Sequence, residues 1–72
     1  MNRDKYMFKK ELKSKILDGD RIKVASQRVG ISQGYLTNIL NGKIHCSILV
    51  ANRIILYTGN DAKLEDYFEV IK

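Results

Sequence analysis

Between Ile22 and Asn41 two short apolar-periodic stretches are separated by one glycine, and this arrangement narrows the folds open to the chain more than any other feature. In the first stretch Ile22, Ala25 and Val29 recur at the three- and four-residue intervals that put side chains on one helical face. Gly30 then supplies the left-handed backbone that stops a helix. Ser32 offers a capping hydroxyl to the second stretch, in which Tyr35, Leu36, Ile39 and Leu40 line one side and Gln33, Thr37, Asn38 and Asn41 the other. Gly42 closes it. Two helices joined this tightly cross at a steep angle, which requires small residues at the crossing, a glycine in the turn and apolar residues packing back. Ala25 and Ser26 are the small pair, Gly30 and Ile31 make the turn, and Leu36 and Ile39 face back.

The flanking sequence reads as three more helices. Asp4 can cap a first one running to about Asp18, because Phe8, Leu12 and Ile16 recur every four residues, and Gly19 is placed to end it. Lys9, Lys10 and Lys13 then lie off that stripe, in water. Asp20 is the expected cap of the second helix. Lys43 to Cys46 form a connection, and Ser47 caps a fourth helix to about Thr58, stopped by Gly59. Asn60 or Asp61 caps a fifth, with Leu64, Tyr67, Phe68 and Ile71 inward and Glu65, Asp66 and Glu69 outward. The expectation is an all-α, compact five-helix domain over residues 1–72, without strands, whose helix-turn-helix spans about 22–41.

At seventy-two residues one domain is expected, without a second domain or a buried active-site cavity, and nearly all the apolar residues are expected to share one core. No acid–base or nucleophile–base arrangement and no phosphate-cradling glycine loop is present, so no enzyme is expected. His45 and Cys46 are too few for a metal site, and neither metal nor cofactor is expected. Cys46 reads as a free thiol filling a turn, which fits the reducing cytoplasm. Met1-Asn2-Arg3-Asp4 is not followed by an apolar signal segment, and no apolar run approaches the roughly 18 residues of a membrane span. The net charge of +5 favours an anionic partner, nucleic acid or an acidic protein patch. Residues 1–46 carry ten Lys or Arg against four Asp or Glu, and residues 47–72 three against four, so the basic field belongs to the first part.

Val24 to Lys43, with Gly30-Ile31-Ser32-Gln33 followed by Ile39 and Asn41-Gly42-Lys43, resembles the helix-turn-helix of the lambda-repressor-like, Cro/CI-type family. With five helices expected, the resemblance covers nearly the whole chain, and in detail it is similar to short antirepressors, or modulators of repression, at the Cro position of temperate-phage switches. The resemblance implies a transcription regulator in the bacterial host cytoplasm that binds a phage CI-type repressor and modulates its operator binding. The alternative is a stand-alone Cro-like homodimer on double-stranded operator DNA. The third helix would present Gln33, Thr37 and Asn38 to base edges, since an amide can pair with adenine and Thr37 can touch a thymine methyl. Lys43 and the amides near Ser32 suit phosphates. Gly34, Tyr35 and Asn41 complete the DNA- or partner-facing set. Gly34 costs roughly 1 kcal/mol of helix propensity, and Ile22 replaces the family's phosphate-touching glutamine. Both departures favour a surface adapted to something besides an operator.

The fourth helix holds Ile48, Leu49, Val50, Ile54, Ile55, Leu56 and Tyr57 around more than one face. One stripe suffices for a helix in so small a globule, so the surplus is either deeply buried or open to a partner, and deep burial is the expectation. Val24, Leu49, Val50, Arg53, Leu56 and Tyr57 are the candidates for a second protein-interaction surface.

Overall fold

The computed structural model describes residues 5–59 and 62–71. In chain order its elements are strand β1 (Tyr6–Phe8), one 3-10 turn (Lys10–Leu12), helices α1 (Lys13–Leu17), α2 (Ile22–Val29), α3 (Gln33–Leu40), α4 (Ile48–Thr58) and α5 (Leu64–Tyr67), and strand β2 (Phe68–Val70). The middle of the chain folds as its local signals predict. α2 ends at Gly30, whose φ of +88° favours a residue without Cβ, and the Gly30 and Ile31 N–H groups both donate to the Ser26 carbonyl, at 2.8 and 3.1 Å. Ser32 caps α3 by accepting the Tyr35 N–H at 3.1 Å. At its far end Gly42 turns left-handed, and the Lys43 N–H donates to the Asn38 carbonyl at 2.9 Å, satisfying an oxygen that the helix leaves open. Ser47 caps α4 through the Val50 N–H at 3.3 Å. The expected Asp20 cap is not made: Arg21 occupies the N-cap of α2 with no side-chain bond, and Asp20 instead receives the Tyr57 hydroxyl.

The ends of the chain correct the strand-free reading and the expected lengths of the first and fifth helices. β1 and β2 pair antiparallel, with Tyr6 opposite Val70, Met7 opposite Glu69 and Phe8 opposite Phe68. On its other side β1 bridges to Cys46, the Tyr6 N–H donating to the Cys46 carbonyl at 3.0 Å and the Cys46 N–H to the Tyr6 carbonyl at 2.8 Å. Alternation in a strand buries Tyr6 and Phe8 together, whereas a helix would point them roughly 200° apart. The four-residue spacing of Phe8, Leu12 and Ile16 therefore imitates a helical stripe, and the first helix covers only Lys13–Leu17. It stops through two left-handed residues, Asp18 and Gly19. The fifth helix is likewise a single turn: Phe68 leaves it at φ −126°, ψ 149°, extended, so adjacent Tyr67 and Phe68 both reach the core. The Asp4, Asn60 and Asp61 caps fall outside the described residues.

One core unites these elements. Ile16, Ala25, Val29, Leu36, Ile39, Leu40, Ala51, Ile54 and Ile55 supply most of its helical part, and Tyr6 and Phe8 of β1, Tyr67 at the end of α5 and Phe68 of β2 seal it. The Phe8 ring stacks on Tyr67 at 6.3 Å between centroids and meets Phe68 edge-on at 5.3 Å. Cys46, expected in a turn, is wholly buried against this cluster and free of any disulfide. Among the described residues no helix is long and apolar enough to cross a membrane.

Candidate DNA- or protein-binding faces

The burial of Leu36, Ile39 and Leu40 turns the opposite side of α3 to solvent. Ser32, Gln33, Gly34, Asn38 and Lys43 are exposed there, Thr37 and Asn41 are half-buried at the margin, and Tyr35 is drawn inward to pack against the core. Gly34 leaves a notch in the first turn, with nothing within 4 Å of the place a Cβ would take.

A basic border adjoins the far end of α3. The Lys13 ammonium donates to the Asn41 side-chain oxygen at 2.9 Å, which fixes the amide and leaves its NH₂ group outward-capable as a donor. Lys10 runs alongside Gly42, its Cβ and Cδ 3.7 and 3.8 Å from where a Cβ there would stand. Lys10 and Lys13 therefore flank Asn41, Gly42 and Lys43, a grouping that sequence reasoning missed because it assigned those lysines only to the water-facing side of the first helix. No local pattern signals it. Lys9 goes elsewhere, donating to the Glu65 carbonyl at 3.1 Å.

On α4 the deep burial expected for the apolar surplus is overturned. Ala51, Ile54 and Ile55 complete the inner side, while Leu49 and Leu56 are 64% and 74% exposed and Ile48 is 50% exposed. At about 100° per residue, Leu49, Arg53 and Leu56 fall within roughly 60° of one another on the outward side. Arg53 leans toward the end of α2, its Nη1 3.3 Å from a Cβ position at Gly30. Val24 on α2 is partly exposed, and Val50 and Tyr57 are half-buried, so the second candidate surface reduces chiefly to its leucines and Arg53.

Tyr57 is held instead as a strut. Its hydroxyl donates to Asp20 Oδ2 at 2.7 Å and lies 3.3 Å from the Leu17 carbonyl, tying α4 to the corner between α1 and α2. Burial pushes its pKa up from 10.0 to about 12, helped by the hydrogen bond to Asp20 and by the negative charges of Asp20 and Asp18, against the opposing charge of Arg28. Among the described residues no three His, Cys, Asp or Glu side chains gather as a metal site would require. Comparison with protein-family models, curated proteins and solved structures finds no match to this chain.

Proposed function

We propose that the chain is a small regulator of a phage lytic–lysogenic switch, with α2 and α3 as its helix-turn-helix, which holds a CI-type repressor and keeps it from its operator. The observation that carries this reading is the make-up of the exposed α3 face. Gln33 and Asn38 stand in solvent on a helix capped at both ends, and Gly34 leaves the first turn notched between them. A base-reading helix presents side chains from that first turn to the major groove. A notch there suits close packing by another protein, and the +5 charge favours an acidic one. The resemblance of Val24 to Lys43 to the Cro/CI-type motif supplies the partner's class.

The test is a titration of this protein into labelled operator DNA already carrying the repressor encoded beside it, followed by fluorescence anisotropy. The expected outcome is a fall to the free-DNA value. Anisotropy that stays at the level of the complex overturns the reading.

The basic border of α3 favours a second reading, a Cro-like homodimer acting on DNA alone. Lys10, Lys13 and Lys43 around Asn41 would suit backbone phosphates. A palindromic site would then need two α3 helices about 34 Å apart. Sequence-selective binding of operator by this protein without repressor would support that alternative; binding that falls with salt and ignores sequence would show only the basic charge acting.

A further inference from the structure

We propose that the outward side of α4, built from Leu49, Arg53 and Leu56, docks a partner protein that presents apolar side chains bordered by carboxylates. The inference rests on the reading above that the chain's partner is a protein, and it assigns the contact to α4 as well as α3. Leu49 and Leu56 lie two turns apart, about 10 Å along the helix. Both are mostly in water, although the inner residues Ala51, Ile54 and Ile55 already complete the helix's share of the core. Two such leucines on one exposed pole make an apolar patch that none of the described residues covers.

Charge chooses the occupant. α4 carries no acidic residue, and Arg53 is its only charged one, placed between the two leucines along the helix with its guanidinium reaching toward Gly30 at the end of α2. A second copy meeting this pole across a twofold axis would bring Arg53 toward its own counterpart with no carboxylate of either α4 to neutralise it. Each copy also carries a net charge of +5, which opposes that approach. A partner whose apolar side chains are edged by Asp or Glu covers both leucines and converts Arg53 into a charge-assisted, two-pronged contact.

The experiment measures affinity for the repressor encoded beside this chain, using full-length wild type, Leu49→Glu, Arg53→Glu, Arg53→Lys and, for the α3 face, Asn38→Ala. All three substituted positions are exposed, and circular dichroism checks that each variant keeps its fold. The expected result is that Leu49→Glu and Arg53→Glu each weaken binding by about tenfold or more, with Arg53→Lys losing much less. Wild-type affinity in both glutamate variants overturns this assignment while leaving the proposed function standing. Failure of wild type itself to bind repressor removes both. Sedimentation of the protein alone supplies the remaining arm: a wild-type dimer that Leu49→Glu converts to monomer makes a second copy the occupant and overturns the proposal.

Discussion

Tyr57 shows how one polar atom can fix the relation of three helices. Its hydroxyl has a single hydrogen, and the charged Asp20 oxygen at 2.7 Å takes it in preference to the Leu17 carbonyl at 3.3 Å. The folded chain favours the protonated phenol, with its pKa raised from 10.0 to about 12. The linked stabilisation is therefore complete below pH 10 and is lost as pH rises toward 12. Tyr57→Phe is expected to cost about 1 kcal/mol at neutral pH. In urea titrations the gap between variant and parent should narrow across that alkaline range; a gap that stays constant would count against the Tyr57–Asp20 bond as its source.

At the scale of elements, the helices that the sequence announces are those whose stops and starts are local. Ser32, Gly30, Gly42 and Ser47 act through hydrogen bonds no more than five residues away, and α2, α3 and α4 match the expected spans closely. Ser32→Ala should accordingly cost about 1 kcal/mol, and amide exchange at Tyr35, whose N–H loses its acceptor, should accelerate. β1 and β2 were illegible for the opposite reason. Three residues are too few to display a period of two, and the pairing of Phe8 with Phe68 joins opposite ends of the chain. The exposed α3 face was legible because its own helix determines it. The Lys10 and Lys13 border was not, since it depends on how the chain before α1 returns to Gly42. On α4 the apolar surplus was visible, but which leucines stayed in water depended on what packed against the helix.

For the molecule as a whole, Phe8 is the residue on which strands and helices converge. It is 2% exposed, contacts Tyr67 and Phe68 ring to ring, and lies opposite Phe68 in the sheet. Phe8→Ala should cost about 3–5 kcal/mol and lower the melting temperature by about 12 °C or more, a large part of what so small a domain possesses. A calorimetric scan checks this, and a shift of only a few degrees would mean that the sheet contributes little beyond covering the ends.

The double pairing of β1, to Cys46 on one side and to β2 on the other, also governs how the molecule comes into being. During synthesis the α2–α3 pair leaves the ribosome early, yet Phe8 has no ring to stack on until Tyr67 and Phe68 have followed. Closing a loop of that length is entropically costly and slow to be repaid by contacts. The β1–β2 pairing can therefore close only when nearly all of the described chain has been made. A chain ending after α4 would leave Phe8 without either of its ring partners, and limited proteolysis should cut it faster than the full-length chain.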